Sequence, residues 1–297
     1  MLILRKFKNV EGYILRKNKA GKNSWMRDPN YIDPRKREAL QQLESLKDDN
    51  LYSCDCIISE YSDYDVLNNF TEELVESLFY DNSNGFPKVV EGKNTLNKMK
   101  LIEENTGINT NWKQTEWAGF YIESIFKELN NNDNFQYPST TKINNTRFDG
   151  EYFDIDNNIS YILDIKTHDI NSSGNIIMMN DKKAVDMVLE KNNNMFIIIV
   201  NIDAQKDEDG SFKKYSDELK KSIGHKSHSL PDSKNKRKMK KSFITQDIQI
   251  LLISNDNKNE ILKQTTQGRN SNGKERPDKY NIIINNIEKY STKIKLL

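Results

Sequence analysis

Two short runs of alternating residues, 145–153 and 159–168, flank Asp156 and Asn157, and little else in the chain leaves the backbone so few choices. Asp and Asn tolerate the left-handed backbone of a tight turn, so the runs are expected to pair as an antiparallel hairpin. A turn centred between Asp156 and Asn157 sets Asp149 directly opposite Asp164. Cross-strand neighbours on one face have Cβ atoms roughly 4.5–5.5 Å apart, and like charges there repel. A divalent cation would relieve that repulsion. Side chains alternate along a strand, so Asp164 and Lys166 share one face while Tyr161, Leu163 and Ile165 take the other and pack into a core. Two carboxylates and an ammonium then converge, which is the material of a metal-assisted hydrolytic site. A slip of one residue in register would turn Asp164 and Lys166 away from Asp149 and dismantle it.

The segments around the hairpin are as regular as the hairpin itself. Residues 114–129 place Phe, Tyr, Ile and Leu on a broad apolar stripe and predict a helix. Downstream, a short strand is expected over 175–178, a helix over 182–190 and a buried strand over 195–202. The resulting order, α-β-β-β-α-β, predicts an α/β fold with a mixed sheet of five or more strands flanked by helices. Further strands are expected over 243–254 and, more weakly, 280–284, with a long flexible loop over 267–277. Residues 1–110 read as a mainly helical elaboration, with one helix from Asp33 and Pro34 to Leu46 and another over 71–79. Residues 111–297 carry the hairpin and a basic insertion near 206–242.

Composition narrows the class of protein. Across 297 residues, 45 basic and 44 acidic side chains leave a net charge of +1, so overall charge announces no polyanionic ligand. Mean hydropathy is low at −0.83, yet apolar residues gather in runs such as Met195–Val200 and Ile248–Ile253, as a globular core requires. No apolar run approaches the roughly 18 residues of a membrane span, and the N-terminal residues lack the apolar stretch of a signal peptide. A cytoplasmic protein that contacts no membrane is expected. Cys54 and Cys56 are too close for a structural disulfide and read as reduced thiols.

Local charge says more than net charge. Lys213, Lys214, Lys220, Lys221 and Lys226 lead into the run 234–241, where Lys234, Lys236, Arg237, Lys238 and Lys240 concentrate positive charge. Such a stretch releases counterions on a nucleic-acid backbone or serves as a solvated linker, and both readings stand on sequence. Arg27 and Arg35–Arg37 read as solvated surface. His225 and His228 have no Cys or acidic partner at ligand spacing and read as surface residues. His168 follows Lys166 on the same strand face and either touches the site or simply ends the strand.

Taken together, Asp149, the Asp164-x-Lys166 pattern and the order of elements over residues 112–205 resemble the PD-(D/E)XK nuclease superfamily. That core is α-β-β-β-α-β, with an acidic residue on its second strand and (D/E)-x-K on its third. The resemblance assigns Asp149 to the first acidic position, Asp164 to the second and Lys166 to the lysine; Phe148 stands where the namesake proline would be. Glu123 matches the acidic residue that many members contribute from the first helix, with Glu116, seven residues earlier on the same face, as its competitor. By this resemblance Asp149, Asp164, the carbonyl of Ile165 and Glu123 would hold Mg2+, and Lys166 would orient the attacking water. A chain of this length without ATPase or helicase motifs looks most like a type II restriction endonuclease. The resemblance therefore implies sequence-specific cleavage of double-stranded DNA by a homodimer, with Lys234, Lys236, Arg237, Lys238 and Lys240 in contact with the DNA and the N-terminal residues in DNA contact or dimerisation. A repair or junction-resolving nuclease of the same superfamily and a non-catalytic DNA-binding protein remain the alternatives.

Overall fold

The longest buried run of the sequence becomes the middle of a sheet. Strand β11 spans Asn194–Lys206, with Met195–Val200 buried. It lies between β9 (Ile159–Asp169), which it pairs in parallel from Met195↔Ile162 to Ile202↔Asp169, and β12 (Lys240–Ser254), which it pairs antiparallel. A strand bonded on both edges and covered on both faces has no reason to alternate, which explains its continuous apolar reading. The computed structural model describes residues 13–17, 23–27, 56–60, 62–79, 86–225 and 238–296, apart from 131, 141, 144–145, 156, 173, 193, 269–272 and 274.

The full sheet runs β3-β15-β12-β11-β9-β8-β5, with β3 at Cys56–Glu60, β5 at Phe135–Gln136, β8 at Gly150–Asp154 and β15 at Ser291–Leu296. Strand β4 (Val89–Glu91) adds to the far end of β12. All pairs are antiparallel except β9 with β11, so the sheet is mixed. Two ribbons stand apart from it, β1 (Tyr13–Lys17) with β2 (Asn23–Arg27), and β6 (Lys142–Ile143) with β7 (Thr146–Arg147).

Alternation along β11 divides the core in two. Phe196, Ile198, Val200 and Ile202 face α1 (Asp65–Phe79), α2 (Gly92–Thr106) and α3 (Trp117–Leu129). On that side Phe70 stacks on Phe196 with ring centroids 4.0 Å apart, and Tyr152 meets Phe70 edge-on at 5.0 Å. Met195, Ile197 and Ile199 face α4 (Lys182–Asn192), whose Ala184, Val185, Val188 and Leu189 are fully covered. Helix α1 buries Leu67, Phe70, Leu74 and Leu78, the spacing of one helical face. Because α1 and α2 share this core with α3, residues from 65 onward pack directly on the sheet.

The expected hairpin is present in the expected register. Pairing runs from Asp154↔Ile159 to Gly150↔Leu163, and the next step sets Asp149 opposite Asp164. Asp156 lies outside the described residues; Asn158 takes the left-handed backbone at φ 53°, and Asp154 accepts from the Asn157 amide at 3.0 Å.

Two expectations are corrected. The strand expected over 175–178 exists as β10 (Ile176–Asp181), but it pairs with β14 (Lys279–Ile283) in a separate sheet, β10-β14-β13, with β13 at Leu262–Thr265. In the main sheet the corresponding place beside β8 is taken by β5, which precedes the hairpin. The basic insertion is not irregular throughout: Ser211–Ser222 form α5, packed on the core through Phe212, Tyr215 and Leu219. Residues 92–106, within the stretch expected to be mainly helical, form α2. The helix expected over 33–46 lies outside the described residues. Among the described residues no helix is long and apolar enough to cross a membrane.

Candidate active site

The β8–β9 ladder ends at Gly150, and the site forms where it ends. A Cβ on Gly150 would stand 2.7 Å from the Tyr137 ring and 3.0 Å from the Gln136 carbonyl, so only glycine lets β5 and β8 close together here. One residue upstream, the Asp149 carboxylate replaces the missing backbone partner: its Oδ2 accepts from the Ile165 N–H at 2.8 Å. Phe148, which is buried among Ile162, Val185 and Ile197, anchors the chain just before it.

Asp164 and Lys166 project from the same face of β9, as their spacing requires. Asp164 is the most enclosed of the charged groups, with 1% of its side chain exposed. Its Oδ2 stands 2.7 Å from the Lys166 ammonium, and its Oδ1 accepts from Asn180 Nδ2 at 3.0 Å. The same ammonium lies 3.9 Å from Asp149 Oδ2 and donates to the Ile165 carbonyl at 3.3 Å. Four of the groups singled out in the sequence, Asp149, Asp164, Ile165 and Lys166, are therefore in one place.

Glu123, on α3, lies near enough for its charge to be felt by Asp149 and Lys166. Burial, first of all, pushes its carboxyl up to about 7; the Lys166 charge opposes the shift and the Asp164 charge adds to it. Asp149 is held well above the usual carboxylate range by burial, then by the charge of Asp164, with Lys166 opposing. Burial works against the Lys166 charge, yet Asp164 and Asp149 together hold its ammonium above the usual lysine value. Glu116 stands at the N-cap of α3, about two turns from Glu123, so the helix brings Glu123 rather than its competitor to the hairpin.

Three carboxyls against one ammonium is an excess of negative charge in a partly buried place, and a divalent cation fits that imbalance. The donors are hard oxygens, suited to Mg2+ in number and kind, since that ion keeps several waters and uses one or two carboxylates. Among the described residues no group of three or more His, Cys, Asp or Glu side chains assembles at ligand spacing, so water would complete such a shell.

Asn180 is the site residue that sequence reading missed. It lies on β10, whose partner β14 is about a hundred residues away, at the irregular stretch of that ladder, and donates to Asp164 across from β9. Of the basic residues, Lys234, Lys236 and Arg237 lie outside the described residues. Lys238 is ion-paired with Glu208, and Lys240 opens β12, its carbonyl accepting from Trp117 Nε1 at 2.9 Å. Neither is brought to the carboxylate cluster by any interaction described. His225 is exposed at the end of α5, and His228 lies outside the described residues. His168 hydrogen-bonds through Nδ1 to Asn201 Oδ1 at 3.0 Å.

No protein-family model, curated protein or solved structure matches the chain.

Proposed function

We propose that the chain is a Mg2+-dependent endonuclease that hydrolyses phosphodiester bonds of double-stranded DNA at specific sequences, in the manner of a type II restriction enzyme. The observation that carries this reading is the meeting of Asp149 and Asp164 across the hairpin, with Lys166 between them and Glu123 approaching from α3. The element order supports it: α3, then β5, β8 and β9 antiparallel in succession, then α4, then β11 parallel to β9, is the arrangement expected of a PD-(D/E)XK core.

Asp149, Asp164, the Ile165 carbonyl and Glu123 are the residues that would hold Mg2+. When bound, Mg2+ polarises a phosphate oxygen and makes a coordinated water easier to deprotonate. The chain's own groups supply the rest. Asn180 and the Ile165 N–H fix the two aspartates in orientation, so little rearrangement accompanies the reaction. The Lys166 ammonium is held charged, which suits it to orienting water and to offsetting negative charge that builds on the phosphate oxygens. Glu123, its carboxyl pushed up to about 7 by burial, gives up its proton readily near neutral pH and would then be able to hold the ion or a nearby water. A homodimer would match the two strands of a palindromic site.

The decisive experiment incubates supercoiled plasmid with the protein and Mg2+ or Mn2+, then repeats it with Asp164→Ala and Lys166→Ala. Discrete fragments, lost in both variants, are expected. Smearing or a preference for branched DNA would point to a repair or junction-resolving nuclease. A plasmid left intact but shifted in a gel would make the chain a DNA-binding protein instead.

A further inference from the structure

On the face of β9 that carries Asp164 and Lys166, a row of polar side chains continues across the sheet. His168 pairs in register with Asn201 of β11, and Asn201 with Asp247 of β12. His168 Nδ1 lies 3.0 Å from Asn201 Oδ1, Asn201 Nδ2 donates to Asp247 Oδ1 at 2.6 Å, and Lys293 of β15 lies 3.4 Å from Asp247 Oδ2. On the same face nearer the hairpin, Ile197 and Ile199 are sealed under α4, whereas His168, Asn201, Asp247 and Lys293 are only half-buried.

The hydrogen-bond polarity of this row is fixed from one end. An ionised Asp247 only accepts, so Asn201 must turn its NH2 toward Asp247 and its carbonyl oxygen toward His168. That oxygen accepts only, so the Nδ1 of His168 must carry a proton. In the neutral imidazole, Nε2 is then a lone pair, held as an acceptor. Free imidazole side chains in water favour the opposite tautomer, with the proton on Nε2, so the row imposes its choice.

We infer that His168 is a specificity-determining residue whose Nε2 accepts a hydrogen bond from the exocyclic amino group of an adenine or cytosine in the DNA major groove. The inference rests on DNA being the substrate of the neighbouring site. Two residues along a strand advance roughly 6–7 Å, which spans about two base steps of 3.4 Å, so His168 stands within reach of bases beside a phosphate held at Lys166. A phosphate oxygen only accepts, so an Nε2 lone pair does not bond it; among base edges it tells donors from acceptors, because adenine N6 and cytosine N4 donate where guanine O6 and thymine O4 accept.

Two measurements test it. Two-bond 15N–1H correlation spectra of the labelled full-length protein should show His168 protonated on Nδ1, its signal identified by its loss in His168→Ala; the chain has only three histidines to resolve. Selection of bound duplexes from a random library in Ca2+, with fragment-end sequencing in Mg2+, should show one position restricted to adenine or cytosine by about tenfold. His168→Ala should lose that restriction alone. Asn201→Leu should let carbonyl-bearing bases in at the same position, because Nε2 can then donate; Asp247→Asn, which frees the amide without removing bulk, should do the same if the leucine variant fails to fold. A proton on Nε2, a random bound pool, or a His168→Ala variant with unchanged specificity and only slower cleavage overturns the inference. A wild type that selects sequences yet cuts nothing sinks the nuclease reading and leaves this one standing.

Discussion

Two clusters of aspartate and lysine lie on either side of Asn180, and they are built to opposite balances. Around Asp186, one carboxylate meets Lys182 at 2.5 Å, Lys258 at 3.8 Å and the Tyr280 hydroxyl at 2.9 Å. Its hydrogen bond, in the first place, holds Lys182 above the usual lysine value. Around Asp164, three carboxyls share one lysine, and two of them are driven up in pKa. The first cluster satisfies its charge and can be left alone; the second carries charge it does not satisfy. The cleft of about 490 Å³ lined by Asp181, Lys182, Lys183, Asp186, Pro277 and Asp278 opens beside the balanced cluster. Unrelieved charge therefore locates the candidate site where concavity does not.

The largest effect that separates the clusters is on cleavage. Asp164→Asn keeps the shape of a fully enclosed side chain and removes a negative charge, so plasmid cleavage should fall about a thousandfold, in line with several kcal/mol of lost charge stabilisation. Without divalent cation its unfolding free energy should stay within about 1 kcal/mol of the wild type, because the lost Lys166 ion pair is offset by relief of repulsion with Asp149. Added Mg2+ should stabilise the wild type against heat and leave the variant unchanged. If the variant loses stability as heavily as activity, the Asp164 cluster is structural after all and the contrast with Asp186 collapses.

Next in size is the backbone on which the unbalanced cluster stands. Gly150→Ala would drive a Cβ to 2.7 Å from the Tyr137 ring and 3.0 Å from a carbonyl, and backbone cannot give as a flexible side chain does. A loss of about 1–3 kcal/mol in urea unfolding is expected, with cleavage impaired as Asp149 shifts. A neutral Gly150→Ala would mean that β5 and β8 do not close as described.

How much of this was legible in the sequence follows the range of the interactions. The hairpin register came from a turn signal and alternation within some twenty residues, and Asp149, Asp164 and Lys166 came with it. Periodicity gave α3, α4 and β11, although β11 and β12 extend beyond their apolar runs. Strand β10 was legible as a strand but not as a member of another sheet, since its partner lies near residue 282 and alternation does not name partners. Asn180 was lost for that reason. Helix α5 was readable in principle: Phe212, Tyr215 and Leu219 recur at helical spacing, but the surrounding lysines masked them.

A smaller effect concerns pH in the absence of cation. Glu123 has a folded-state value near 7 against an ordinary 4.5, so between those values the folded chain binds more protons than the unfolded one. The contribution of Glu123 to stability should therefore decline as pH rises from about 4.5 to 7; Asp149, also held above its usual value, adds to the decline, so Glu123→Gln should lessen it without abolishing it. Saturating Mg2+ should flatten it, by neutralising the carboxylates in place of protons. Urea midpoints measured across this range check both; a rise in stability over the window would place Glu123 outside the cluster.

The smallest effect belongs to the balanced cluster. Asp186→Asn removes the ion pairs to Lys182 and Lys258, both partly exposed and therefore screened, while an amide oxygen still accepts from Tyr280. The cost should be about 0–1 kcal/mol in urea unfolding, with plasmid cleavage and Mg2+ stabilisation unchanged. Because Asp186 lies on α4, which packs against the strand that carries Asp164, this variant also tests whether disturbance near the site is enough to mimic loss of the site. Cleavage that falls with Asp186→Asn as far as with Asp164→Asn would assign the chemistry to the cleft rather than the hairpin.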